Sequence, residues 1–140
     1  MPSEKKTRAV ESIWQGGLRC EVTTGDFVIA VDEPVDVGGT ETGPMPTELL
    51  LASVASCFTL AVAYNAKKLS IALDNLAVSV TGIYEGPRFS EIRITAKLGC
   101  DPAHVEALVL RAERTCYVAN TLRSRPNIVV NAASVVAYRR

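Results

Sequence analysis

The 140-residue sequence predicts an α+β fold built from antiparallel strand hairpins and two long helices. Residues 7–31 and 75–98 are typical of strands, with alternating apolar and polar side chains in part of each stretch and a glycine turn in both, as in hairpins. Residues 47–66 are almost continuously apolar, and residues 101–122 repeat apolar side chains every three or four positions, so both predict helices. The length predicts a single domain over 1–140 with one hydrophobic core.

The first hairpin is predicted within LRCEVTTGDFVIAVDEP, where Thr24-Gly25-Asp26 forms the turn before the apolar run Phe27–Val31. The second is predicted within NLAVSVTGIYEGPRFSEIRITAKL, with a turn at Glu85-Gly86-Pro87. Its inward-facing residues are predicted to be Leu76, Val78, Val80, Gly82, Ile92, Ile94, Ala96 and Leu98. A last strand is predicted at Ile128–Val130, and SVVAYR closes the chain.

The loop and helix between the hairpins form the least ordinary part of the chain. Prolines, glycines and acids predict an irregular loop over 32–46. The helix over 47–66 begins near Pro46, and Glu48 suits its positive end. Residues 49–66 carry no charge and approach the length of a membrane span. We expect no span, because polar residues interrupt this helix and strand patterns flank it. A helix that is apolar on every face predicts burial near a homodimer interface.

The second helix has a predicted start and one apolar stripe. Asp101 suits the N-cap position and Pro102 the first helical position. The stripe comprises Val105, Leu108, Val109, Ala112, Cys116 and Ala119. Cys116 is therefore predicted to face inward.

Composition argues against several classes of function. Fifteen basic residues balance fifteen acidic ones, and without a basic run nucleic-acid binding is not expected. The amino end lacks an apolar signal region, which predicts a cytoplasmic protein. The four cysteines form no CxxC motif and there is one histidine, so we expect neither a metal site nor a cofactor.

Two inward-facing cysteines, Cys57 and Cys116, could support peroxide chemistry. One thiolate would attack a peroxide oxygen, and the other thiol would condense with the resulting sulfenic acid. The alternative for either cysteine is simple packing, which is commoner for a buried cysteine. Burial also disfavours a thiolate, so a reactive Cys57 needs a cation from elsewhere in the chain. Arg19, beside Gly16-Gly17, is the first candidate and Arg8 a weaker one.

The motifs PTELLLASVASCF and AERTCYVANTL resemble the two cysteine motifs of the OsmC/Ohr family of osmotically inducible and organic hydroperoxide resistance proteins. The resemblance implies an OsmC-like fold, an intertwined homodimer and thiol-dependent reduction of organic hydroperoxides. Cys57 matches the peroxidatic cysteine and Cys116 the resolving cysteine. The hydroperoxide-resistance branch also uses an arginine and a glutamate, which makes Arg19 and Glu48 the corresponding candidates, and its reductants are lipoyl-type dithiols.

Three positions differ from the hydroperoxide-resistance branch. Thr47 stands where that branch has its acid, so Glu48 comes one residue later. Leu18 separates Arg19 from the Gly-Gly pair, and Tyr117 replaces the proline after the second cysteine. The sequence is therefore more similar to the broader OsmC-like group.

The leading hypothesis is a cytoplasmic dithiol peroxidase for oxidative stress defence, in which Cys57 attacks and Cys116 resolves. The uncharged surroundings of Cys57 favour alkyl or lipid hydroperoxides over hydrogen peroxide. A different hypothesis is a dimeric module that binds a small apolar ligand, with both cysteines only packed. A cysteine-based acyl transferase or hydrolase would lack an evident general base. Cys20 and Cys100 lie outside both motifs and are interpreted as packing residues.

Overall fold

The computed structural model describes residues 4–135, which contain five strands and three α-helices. The described chain forms two compact units. The first unit comprises residues 4–56 and 77–97, and the second comprises residues 57–76 and 98–135. The predicted α+β class is confirmed. The prediction of a single domain over 1–140 stays a prediction.

The first unit contains a three-stranded antiparallel sheet. Its strands are β1 (Glu11–Trp14), β2 (Cys20–Thr24) and β3 (Phe27–Val31), hydrogen-bonded in that order. The predicted hairpin is β2–β3, with Thr24 opposite Phe27 and a left-handed Gly25 (φ 57°) in the turn. Gly25 suits this turn because it has no side chain to clash at positive φ.

The second predicted hairpin is also confirmed. Strands β4 (Leu76–Glu85) and β5 (Arg88–Leu98) form a two-stranded sheet around Gly86 (φ 57°). The residues predicted to face inward are more buried than those between them. Gly82 is required by close packing, because a Cβ there would stand 2.6 Å from the Phe89 ring.

The acid-rich loop after β3 is organised by one buried carboxylate. Asp32 is 1% exposed and accepts hydrogen bonds from the backbone N–H groups of Glu33 (2.7 Å), Thr40 (3.2 Å) and Thr42 (3.1 Å). The hydroxyls of Thr40 and Thr42 donate to the same carboxylate. Asp32 thus supplies the hydrogen-bond partners that this irregular segment would otherwise lack. A short 3₁₀ turn, Val35–Val37, lies inside the loop.

Helix α1 (Pro46–Lys68) carries Cys57, and its residues 57–68 belong to the second unit. Val54, Phe58 and Val62 are buried, whereas Leu60 is 69% exposed. The expected burial on every face is therefore not reached within one chain. By length and composition α1 could cross a membrane, but a core helix of a soluble protein passes the same test.

The predicted second long helix is wrong as one continuous helix, because it breaks at Cys116. A 3₁₀ turn (Pro102–His104) leads into α2 (Val105–Thr115), and α3 (Tyr117–Ser124) follows. Asp101 does act as a cap, accepting from the Ala103 N–H at 2.9 Å, but it caps the 3₁₀ turn. Cys116 is extended (φ −76°, ψ 103°), so it ends α2 and begins α3.

The predicted last strand, Ile128–Val130, is also wrong in the described chain. Residues 125–135 form no helix or strand, and all of them are exposed. A β-branched run becomes a strand only when a neighbouring strand pairs with its backbone. Most of the closing SVVAYR segment lies outside the described residues.

Candidate active site

Cys57 lies on α1 in the second unit, between buried and exposed positions of the helix. Its side chain is half-buried, whereas the next residue, Phe58, is buried. One turn further along, Ala61 and Val62 are buried, so this side of α1 forms the core of the second unit. Cys57 is therefore at the border of that core, where a sulfur can reach both a buried neighbour and the surface.

Cys116 is the buried neighbour. Its residue exposure is 0%, and its thiol lies close enough to that of Cys57 for the two groups to interact electrostatically. The backbone N–H groups of Val118 and Ala119, in the first turn of α3, lie near its sulfur and favour its charged form. Such groups are unpaired within a helix and favour a negative partner. The break in the second helix thus places Cys116 at a helix start that a continuous helix would not offer.

The electrostatic surroundings of Cys116 hold its thiol in the protonated form. Burial raises the pKa of the Cys116 thiol, and the neighbouring Cys57 sulfur raises it further, against the opposing N–H groups of Ala119 and Val118. Cys116 therefore keeps its proton at neutral pH. Both cysteines are free thiols in this structure.

A cavity of about 810 Å³ opens beside Cys57, within the second unit. Its volume is in the range of small-molecule sites. The lining residues are Cys57, Leu60, Ala61, Tyr64, Arg114, Thr115, Tyr117 and Asn120. Tyr117, which directly follows Cys116, is 84% exposed on this wall. The half-buried sulfur of the pair is thus the one that a ligand in the cavity would meet.

Asn65 fixes the segment before Cys116 to α1. This amide is 2% exposed and donates to the Ala61 carbonyl at 2.7 Å and to the Thr115 hydroxyl at 3.0 Å. The Thr115 hydroxyl in turn donates to the Arg111 carbonyl at 2.9 Å. Sequence reasoning did not assign Asn65 a role at the site. The available signal was an amide within an otherwise apolar helix, which needs a partner when it is buried.

Arg19 and Glu48, the predicted charged candidates, lie in the first unit and have partners there. Arg19 Nε donates to the Thr42 hydroxyl at 3.0 Å, and that hydroxyl donates to Asp32 at 2.7 Å. Glu48 accepts the Met45 N–H at 3.0 Å, which caps the first turn of α1. Asp32 thereby holds Arg19 through one intermediate hydroxyl. A catalytic role for Arg19 or Glu48 stays a prediction.

The remaining candidates lie apart from this arrangement of residues. Cys20 and Cys100 are half-buried and outside the cavity wall. His104 is exposed in the 3₁₀ turn before α2. Across residues 4–135, no cluster of three or more histidine, cysteine or acidic side chains could hold a metal ion.

A free cysteine on a cavity wall, with a second, buried cysteine beside it, marks this α+β chain. The chain belongs to the OsmC-like family, since the family model for OsmC-like protein matches residues 39–131, more than half of its length. Both cysteines lie within the matched range. No match is found among curated proteins.

Solved structures share the fold. A Psychrobacter arcticus protein, provisionally described as an osmotic stress induced and detoxification response protein, is 27% identical, with a TM-score of 0.71 over 86% of this chain and 91% of that one. An organic hydroperoxide resistance protein OsmC of Legionella pneumophila is 23% identical, with a TM-score of 0.62 over 86% and 92% of the chains. An OsmC-like protein of Mycoplasma pneumoniae is 18% identical, with a TM-score of 0.73 over 87% and 91%. The recognition of an OsmC/Ohr-type fold is confirmed.

Proposed function

We propose that this protein is a thiol-dependent peroxidase that reduces organic hydroperoxides through a Cys57/Cys116 dithiol–disulfide cycle. The observation that carries the proposal is the pair of neighbouring free thiols, one on a cavity wall and one buried. Membership of the family to which hydroperoxide resistance proteins belong supports the same reaction.

In the first step, the Cys57 thiolate attacks the distal oxygen of the hydroperoxide ROOH. The O–O bond breaks, the alkoxide takes a proton to leave as ROH, and Cys57 becomes a sulfenic acid. Cys57 suits this role because it meets the cavity. Cys116 does not compete for the peroxide, since burial raises its pKa and keeps it a thiol.

In the second step, the Cys116 sulfur attacks the Cys57 sulfenic sulfur, which forms the disulfide and releases water. The existing thiol–thiol contact makes this an intramolecular reaction between neighbours. A dithiol reductant, for which a lipoyl-type dithiol is proposed, then exchanges with the disulfide and restores both thiols. The cavity walls of Leu60, Ala61 and two tyrosine rings favour an alkyl or lipid substituent on the hydroperoxide.

The proposal includes a cytoplasmic homodimer in which Arg19 and Glu48 support the thiolate and the substrate. Leu60 and Tyr64 on α1 leave apolar surface uncovered within one chain, and association would bury it. A reducing compartment suits a cycle that starts from free thiols. Light scattering after size exclusion tests the dimer, and a monomer at micromolar concentration would contradict it.

The experiment follows consumption of cumene hydroperoxide with dihydrolipoamide. Wild type and the matched control Cys100→Ser should turn over equally, and Cys57→Ser should fall to the rate without protein. Cys116→Ser should form the sulfenic acid once, detectable with dimedone, without sustained turnover. Equal turnover by wild type and Cys57→Ser would exclude Cys57 as the nucleophile.

The cavity itself favours a second candidate, a module that binds a small apolar ligand with inert cysteines. Intact mass after treatment with one equivalent of hydroperoxide separates the two functions. The peroxidase loses two mass units as the disulfide forms, whereas the binding module keeps both thiols.

A further inference from the structure

The wall of the cavity beside Cys57 carries one positive side chain. Arg114 belongs to the last turn of α2, two residues before Cys116. Apart from the Cys57 thiol, which acts as a thiolate in the proposed reaction, the other lining residues are uncharged. A guanidinium at the edge of an otherwise apolar and aromatic cavity complements a ligand with an apolar body and one anionic group.

The charge of Arg114 has no partner within the part of the chain that the structure describes. Among residues 4–135, the four ion pairs involve other arginines. The adjacent acid, Glu113, lies 3.5 Å from Arg123 instead. A positive group on a cavity wall without a neighbouring carboxylate is available to bind an anion.

The polar neighbours of Arg114 are already engaged. The Thr115 hydroxyl donates to the Arg111 carbonyl at 2.9 Å, so its hydrogen does not face a ligand. The Asn120 amide donates to the Arg114 carbonyl at 3.0 Å. That bond joins the first turn of α3 to the last turn of α2 and helps to fix the backbone from which the arginine projects.

We propose that Arg114 binds the carboxylate of an amphipathic ligand whose alkyl chain occupies this cavity, so that the site selects carboxylate-bearing hydroperoxides over neutral ones. The identity of the ligand as a hydroperoxide rests on the proposed peroxidase function, whereas the carboxylate subsite does not. Arg114 and Cys57 line the same cavity. A chain held by its carboxylate at Arg114 can therefore present a hydroperoxide group elsewhere along its length to the Cys57 sulfur.

The subsite is tested by binding without turnover. Decanoate and decan-1-ol share an alkyl chain and differ in charge, and neither contains a peroxide. Calorimetric titration of the reduced full-length protein compares wild type, Arg114→Gln and the matched control Arg111→Gln. Arg111 lies one turn earlier on α2, is exposed, and does not line the cavity.

Decanoate should bind Arg114→Gln roughly two- to fivefold more weakly than wild type, the scale of an exposed or partly exposed ion pair. The Arg111 control should match wild type, and decan-1-ol should bind all three proteins equally. Added salt should weaken decanoate binding to wild type and to Arg111→Gln, which both keep Arg114, but not to Arg114→Gln. Equal loss for both ligands, no change in Arg114→Gln, or no binding of decanoate to wild type would overturn the proposal.

A kinetic comparison separates this proposal from the peroxidase. With a carboxylate-bearing hydroperoxide, Arg114→Gln should raise KM with kcat retained, and it should raise this KM by a larger factor than the KM for cumene hydroperoxide. If Arg114→Gln turns over both substrates with the same KM values as wild type, the carboxylate subsite is refuted and the peroxidase function is retained. Charge-selective binding of decanoate without any turnover would refute the peroxidase and leave the subsite standing.

Discussion

Replacing Asn65 by alanine should both destabilise the second unit and slow the reaction between Cys57 and Cys116. The Asn65 amide joins α1 to the end of α2 through the Thr115 hydroxyl at 3.0 Å. Thr115 directly precedes Cys116, so the bond restrains the segment that carries the resolving sulfur. Loss of the amide should let that segment move while both cysteines remain in the chain.

The magnitude follows from the bonds that are lost. Asn65→Ala removes two hydrogen bonds, at 2.7 and 3.0 Å, each contributing about 1 kcal/mol. The side chain is also 2% exposed, so its truncation leaves a small void. The free energy of unfolding should fall by about 2–3 kcal/mol in total. For a chain of this length, Tm should fall by about 5–10 °C.

Urea unfolding gives the free energy, and a double-mutant cycle isolates the amide–hydroxyl bond. Thr115→Val keeps the shape of the side chain and removes its hydroxyl, and the pair should show a coupling energy of about 1 kcal/mol. Stopped-flow measurement of disulfide formation after one equivalent of hydroperoxide should show roughly three- to tenfold slowing in Asn65→Ala. The control variant is Ser124→Ala, at the end of α3. Asn120 is not used for the control because it lines the cavity.

Two results would refute this reasoning. A loss of less than about 0.5 kcal/mol in Asn65→Ala would mean that the amide is not structurally important. Additive effects of Asn65→Ala and Thr115→Val would mean that the two groups are not coupled.

Two further predictions concern the first unit. The hydroxyls of Thr40 and Thr42 hold the pKa of Asp32 well below its usual range, so Asp32 contributes stability above its unfolded pKa near 4 that is lost as pH falls toward the lowered folded value. Asp32→Asn should lower Tm at pH 7 and flatten the decline of Tm below about pH 5, and an unchanged acid dependence would contradict this account. Gly43→Ala should destabilise the chain by about 2–4 kcal/mol in urea unfolding, because its Cβ would stand 2.2 Å from the Ala30 carbonyl oxygen. Gly25→Ala, with nothing within 4 Å and φ 57°, should cost only about 1 kcal/mol, so equal losses in the two variants would refute the steric argument.

Local sequence patterns predicted four of the five strands in the described chain correctly and one segment wrongly. Alternation in the sequence predicted β2, β4 and β5, because the period of a strand is two residues. The apolar run after the turn predicted β3, and both turns carry glycine. The same local signal failed at Ile128–Val130. That segment has suitable β-branched residues, but a strand also needs a partner, and no local pattern reports one.

The second helix shows a different limit. Its apolar stripe predicted that Cys116 faces inward, and Cys116 is fully buried. The stripe also predicted an unbroken helix, and residues 103–122 contain no proline or glycine. The break at Cys116 is accompanied by contacts from elsewhere, including the Asn65 amide on Thr115 and the Asn120 amide on the Arg114 carbonyl. Hydrogen bonds between distant residues leave no periodic signal.

For this protein, the sequence by itself determined the α+β class, the four hairpin strands, the apolar helix and the two cysteine motifs, because each depends on residues close together in the chain. Only the tertiary structure decided that the two thiols are neighbours, that Cys116 begins a helix, and that Arg114 shares a cavity with Cys57. These features depend on how α1, α2 and α3 pack within the second unit. A thiol buried by that packing holds its proton, whereas the thiol at its border meets the cavity, so tertiary contacts rather than residue type assign the two cysteines different chemistry.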